Sequence, residues 1–220
     1  MPAVQRGTHP GNDIRPQKNH TGFEMMRKIL ACMFLLVAPL LAQNRLNGPP
    51  PGAIGPSLEV SAGFVYLSMA MPSQRVALLG GDANALVKVS TRSGATVDGT
   101  YAHTGNVLGT GHNGNFLSCL TGPVFYPMVH RNFGVFVRAM VGASLVDSAV
   151  PVNGSNYLEG WVARPSYAAG GGFERSLFGP FSVQVAGDYQ RTTFANANGA
   201  LQVQNNLRLT TGFAYRFGNR

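Results

Sequence analysis

Charge is scarce in this chain: Asp, Glu, Lys and Arg make up 12% of its 220 residues. Cysteine is scarcer still, with only Cys32 and Cys119. Lysine nearly vanishes after residue 42, where Lys88 is the only one left. No apolar run reaches the roughly 20 residues that a membrane-spanning helix needs. Each shortage excludes something. Few charges beside 28 Gly and 10% aromatic residues disfavour a helical enzyme and suit a β-rich or membrane protein. The absence of a basic run argues against nucleic-acid binding. A single cysteine after residue 42 leaves no intramolecular disulfide.

The formal charge of +8 overstates the basic character of the folded part. Met25-Met26-Arg27-Lys28 opens a basic stretch, Ile29 to Leu41 is apolar apart from Pro39, and Ala42 offers a small cleavage residue. That is the pattern of a secretory signal peptide over 25–42. Residues 1–24 lie upstream of it and read as a disordered extension or a mis-assigned start, with Met25 or Met26 as the expected start. Cys32 sits too close behind Lys28 for a lipoprotein box and is expected to be removed with the signal. From Gln43 onward there are 12 Lys+Arg against 7 Asp+Glu, a balance of about +5. Residues 43–56 form a Pro/Gly-rich leader without periodicity.

The rest, 57–220, reads as one β domain. The last stretch is the clearest. Leu207, Leu209, Thr211, Phe213, Tyr215 and Phe217 fall on one face; Arg208, Thr210, Gly212, Ala214 and Arg216 fall on the other. A period of two over eleven residues, with arginines facing the interior, fits a strand between lipid and a polar lumen better than a soluble sandwich strand. Seven more strand-like segments precede it, near 57–68, 78–90, 95–103, 114–126, 133–145, 161–174 and 180–191. The fourth shows no clear parity. The expected connections alternate in length: 69–77, 104–113, 146–160 and 192–204 are long and polar, whereas 91–94, 127–132 and 175–179 are short. Short turns at one end and longer loops at the other, with an even strand count, predict an all-β fold: an eight-stranded antiparallel up-and-down transmembrane β-barrel. On that reading Tyr66, Tyr101, Trp161 and Tyr189 form an outer aromatic belt, and Phe133, Phe173, Phe181, Tyr215 and Phe217 a periplasmic one.

The inward set then gathers Glu59, Asp82, Lys88, Asp98, Arg138, Glu174, Asp188, Arg208 and Arg216. An eight-stranded barrel is just wide enough for side chains to fill, and an unpaired buried charge is costly. Five carboxylates against four cations therefore predict a paired network that plugs the lumen. A narrow ion path along the same residues is the functional alternative.

Thr210, Gly212, Tyr215 and Phe217 resemble the C-terminal assembly signal of bacterial outer-membrane barrels, although Gly218-Asn219-Arg220 follow the last aromatic. More broadly, 57–220 resembles the small OmpA-like/OmpX-like outer-membrane β-barrel family. The resemblance is carried by Leu120-Thr121-Gly122-Pro123, Val137 to Ala143, Ala168 to Gly172, Ala186-Gly187-Asp188-Tyr189 and Asn206 to Gly212. It implies an outer-membrane location, recognition by the barrel assembly machinery, contact with outer-membrane lipids and lipopolysaccharide, a monomer, and roles in envelope integrity or surface interaction without catalysis.

Other motifs carry less. Gly109-Thr110-Gly111-His112-Asn113-Gly114 spells a dinucleotide fingerprint, but no acidic residue lies between Asp98 and Asp147 and a strand follows instead of a helix. It reads as a loop. Gly170-Gly171-Gly172 reads as close packing or bending of the wall. His103, His112 and His130 lack a third ligand, so no metal, cofactor or catalytic residue is assigned. A rim enzyme acting on lipid A would pair His103 with Ser68, Asp147 or Ser155. Arg75, Arg164 and Arg191, near the outer strand ends, suit lipopolysaccharide phosphates. A small diffusion channel and a secreted soluble ligand-binding barrel complete the alternatives.

Overall fold

The computed structural model describes residues 57–70, 75–105, 113–130, 132–147, 150–153, 156–158, 161–195 and 201–217. The expected signal peptide, the leader and the segment upstream lie outside these residues.

Ten strands follow in chain order: β1 (Ser57–Ala70), β2 (Arg75–Lys88), β3 (Ser93–Thr104), β4 (Gly114–Val129), β5 (Phe133–Asp147), β6 (Val150–Asn153), β7 (Asn156–Leu158), β8 (Trp161–Ser176), β9 (Phe181–Ala195) and β10 (Leu201–Phe217). Eight of them close a barrel in the order β1-β10-β9-β8-β5-β4-β3-β2, every pairing antiparallel. β6 and β7 form a separate hairpin between β5 and β8. Alternation is what builds the wall. On β10 the odd residues from Leu207 to Phe217 are exposed, and Arg208, Thr210 and Ala214 are buried.

The strands run further toward the loop end than expected. β1 continues to Ala70 and β2 starts at Arg75, so most of 69–77 is wall. β9 reaches Ala195 and β10 starts at Leu201, so most of 192–204 is wall too. The reason is visible at the first of these: Leu67, Met69, Val76 and Leu78 are all buried, which rewards continued pairing.

β4 explains its own ambiguity. Phe116, Leu120, Val124 and Tyr126 point in and are buried, while Leu117, Phe125 and Met128 lie on the outer face or are exposed. Apolar residues on both faces erase the alternation. A register shift against β5 between Phe125 and Met128 inserts one extra residue on β4, after which parity no longer reads through.

The outer wall is apolar. Phe64 is 77% exposed, Leu79 66% and Phe213 65%. A continuous exposed apolar surface of this kind is unsuited to water and matches a hydrocarbon surround. The rings sort by height. Tyr66, Tyr101, Trp161, Tyr167 and Tyr189 are exposed toward the loop end, and a linked set lies at the opposite end, where β9 begins and β10 finishes. In that set Phe178 meets Phe181 at 5.4 Å, Phe181 meets Tyr215 at 5.1 Å, and Tyr215 meets Phe217 at 4.7 Å between centroids.

Candidate functional site: the charged lumen and the loop-side rim

The lumen is organised in tiers, because inward residues recur every second position on tilted strands. Nearest the termini, Glu59 and Glu174 are buried between Lys88 and Arg216. The Lys88 ammonium lies 3.2 Å from a carboxylate oxygen of each. The Arg216 guanidinium reaches Glu59 at 2.9 Å and Glu174 at 2.6 Å. Gln184 donates to Glu59 at 2.5 Å, and Lys88 sits 4.6 Å above the Tyr126 ring. Two positive and two negative groups thus satisfy one another.

The middle tier is built on Arg208, which is 0% exposed. It donates to Asp98, to Asp188 at 2.8 and 3.1 Å, and to the Thr100 hydroxyl at 2.8 Å. Arg138 forks onto Asp188 at 2.9 and 2.6 Å and approaches Asp98 at 3.5 Å. Bidentate geometry of this kind gives the strongest charge-assisted hydrogen bonds. Asp82 stands apart: its buried Oδ1 has no hydrogen-bond partner among the described residues. It lines a small chamber with Ser61, Asn84, Arg138, Gln184 and Thr210. Of the nine inward charged residues expected from sequence, the structure brings eight into ion pairs and leaves Asp82 beside them.

The tier nearest the loops carries no ion pair among the described residues, and sequence reasoning missed it. On one side Val65, Leu67, Met69, Val76, Leu78, Ala102 and Phe116 form an apolar cluster. On the other, Gln190 donates to Ser144 at 3.1 Å and Ser166 at 3.0 Å, and Asn206 donates to Thr192 at 3.3 Å. The signal was present in the sequence, as alternation that continues through Leu67, Met69, Val76 and Leu78.

The assembly-signal residues divide by parity. Tyr215 and Phe217 are exposed on the outer face, while Thr210 and Gly212 point inward. Gly212 pairs with Gly63 across the β1–β10 seam. A Cβ on Gly212 would meet the Ala62 carbonyl oxygen at 2.5 Å, so this approach of the two strands requires glycine.

At the loop-side rim Arg75 and Arg191 are exposed. Arg75 donates to the Ser68 hydroxyl at 3.1 Å and to the Asn205 carbonyl at 3.4 Å, and Arg191 pairs with Asn205 in register. Arg164 instead shares the inward parity of Ser166, and its buried Nε lacks a partner among the described residues. Arg164 therefore does not join the exposed rim cations. Ser68 shares the outer face with His103, but it pairs with Ala77 of β2 and Leu207 of β10 and accepts from Arg75, while His103 pairs with Leu79, so β2 lies between the two. His103 reaches Asp147 only through Asn115, at 2.8 and 3.2 Å. Ser155 and His112 lie outside the described residues. No group of three His, Cys, Asp or Glu residues able to hold a metal occurs among the described residues.

A scan against protein-family models and a search of curated proteins found no match. Solved structures do match. Ail, the attachment invasion locus protein of Yersinia pestis, superposes with a TM-score of 0.52 at 14% identity, over 73% of this chain and 98% of that one. Neisserial surface protein A superposes with a TM-score of 0.56 at 12% identity, over 76% of this chain and 99% of that one. Identities this low speak for the fold alone. Together with the apolar wall and charged interior, they give the chain the fold of the small eight-stranded outer-membrane barrels.

Proposed function

We propose that this protein is a non-enzymatic, monomeric resident of the outer membrane that works through its outer surface and has a sealed lumen. The observation that carries the reading is the filled interior. Two ionic tiers and an apolar cluster occupy the lumen in succession, and an ion would have to break paired charges to pass. What remains for interaction is the wall, the rim and the loops. Arg75 and Arg191, exposed at the loop end, suit phosphate groups of outer-leaflet lipopolysaccharide. Tyr215 and Phe217, exposed on the last strand, suit recognition by the barrel assembly machinery. A structural or surface-interaction role in the envelope follows from this arrangement.

The competing readings have less support. A lipid A-modifying rim enzyme needs a nucleophile beside His103, and Ser68 lies across β2 from it with its hydroxyl held by Arg75. A soluble ligand-binding barrel needs a polar exterior and a lumen free of buried ion pairs, whereas this wall is apolar and two ionic tiers fill the lumen.

Two measurements test the proposal. Protein from isolated outer membranes should migrate differently with and without boiling; a single unshifted band from a soluble fraction would overturn the membrane assignment. In planar bilayers the purified protein should give flat current traces. Discrete conductance steps would sink the sealed-lumen reading and favour the channel.

A further inference from the structure

One register row crosses four strands on the outer face at the loop end: His103 pairs with Asn115, Asn115 with Asp147, and Asp147 with Trp161. The side chains are linked as well. Asn115 Oδ1 accepts from His103 Nδ1 at 2.8 Å and from the Tyr101 hydroxyl at 3.0 Å, and Asn115 Nδ2 donates to Asp147 Oδ2 at 3.2 Å. This network places the proton of a neutral His103 on Nδ1, which makes its Nε2 an acceptor. Asp147 keeps a second oxygen. The rings of Tyr101 and Trp161 flank the row and are 48% and 38% exposed. One residue pair lower, the same four strands carry Tyr101, Leu117, Leu145 and Ala163. The polar row therefore sits immediately above the apolar belt, at headgroup depth.

We infer that this row binds the sugar hydroxyls of a glycolipid headgroup in the outer leaflet. Three features select that chemistry. The row is rich in fixed acceptors and amide donors, which suit hydroxyls that both give and take hydrogen bonds. It carries a carboxylate and no Lys or Arg, which disfavours phosphate; the exposed arginines Arg75 and Arg191 belong to β2 and β9, outside the row. Its aromatic flanks offer apolar faces with polar edges at a membrane interface, the setting in which Tyr and Trp are favoured. The inference rests on the membrane orientation proposed above, with the loop end outward.

Trp161 is the chain's single tryptophan, so its fluorescence reports directly on the row. The experiment titrates folded protein in detergent micelles with lipid A, with dephosphorylated lipid A and with phosphatidylethanolamine. Both sugar-bearing lipids should give a saturable change, and the phospholipid should not. Asn115→Leu should weaken the response about tenfold, as expected for the loss of a bridging hydrogen-bond group. Asp147→Asn, which keeps the shape, should weaken it less, and Arg92→Ala, in the exposed turn between β2 and β3 at the opposite end of the barrel, should leave the response unchanged. A response confined to the phosphorylated lipid, or an Asn115→Leu variant that binds like the parent, would overturn the inference. The heat shift of each variant is measured alongside. A normal shift without a Trp161 response sinks the sugar site alone, whereas a missing shift in the parent sinks the membrane reading beneath it.

Discussion

Replacing Arg208 with methionine should destabilise the barrel by about 3–5 kcal/mol, the usual cost of removing one partner from a buried ion pair. Arg208 has no exposure and joins Asp98 to Asp188. Methionine approximates the volume of the chain without its charge, so the loss reports electrostatics more than packing. Asp188 would keep its fork from Arg138, but Asp98 would be left with the 3.5 Å approach of Arg138 and neutral contacts from Thr100 at 3.3 Å and Asn84 at 3.5 Å. The measurement is the denaturant midpoint in lipid vesicles, read as the fraction of heat-shifted band. Arg216→Met is the comparison. Its side chain is 26% exposed at the mouth of the lumen, where water screens the freed carboxylates, and the loss should be clearly smaller. A double variant with Asp98→Asn beside Arg208→Met should recover part of the deficit, because the carboxylate left with the weakest partners is gone while Asp188 keeps Arg138. If Arg208→Met unfolded at the parent's midpoint, the ionic tier would have no structural role.

Gly170→Val should be as damaging or worse, for a steric reason. A Cβ at Gly170 would lie 2.2 Å from the Gly187 carbonyl oxygen, 2.6 Å from the Asp188 Cα and 2.5 Å from Asp188 Oδ1. Two of those atoms are backbone of the neighbouring strand and cannot rotate away, while the third belongs to the carboxylate that holds Arg138 and Arg208. Overpacking of a tight site costs about 1–3 kcal/mol, and here the displaced Asp188 adds the cost of a disturbed ion pair. Little or no heat-shifted protein is expected after refolding. Gly99→Ala is the control: its Cβ would meet nothing closer than 3.8 Å, and its stability should stay near the parent's. Equal behaviour of the two variants would mean that the wall yields where its backbone geometry says it cannot.

Much of this architecture was legible because the membrane enforces it. Lipid outside and ions inside demand strict alternation, and Leu207 to Phe217 displays it without interruption. The charged residues could be assigned to the lumen for the same reason. What was not legible has local causes. β4 hides its parity behind Phe116 and Leu120 inside and Leu117 and Phe125 outside. The loop-end cluster around Leu67 and Phe116 places apolar residues on the lumen side, where the rule of a polar interior gives no guidance. Pairing between distant residues was also out of reach. Asn115 interposes itself between His103 and Asp147 because three strands share one register row, a relation that spacing along the chain does not encode. Asp82 could be placed inside by parity, but that its Oδ1 finds no hydrogen-bond partner among the described residues depends on where the guanidinium groups of Arg138 and Arg208 settle.

The seam between β1 and β10 raises a separate question, of how the barrel selects its shear. A slip of two residues there would keep every side chain on its proper face, so alternation alone would accept it. It would also move β10 by about 7 Å along β1. Arg216 would leave Glu59, a partner 157 residues away in sequence, and Arg208 would leave Asp98, 110 residues away. The facing glycines at 63 and 212 would no longer meet. The ionic tiers thus act as a proofreading key: they penalise the near-correct closures that hydrophobic patterning cannot tell apart.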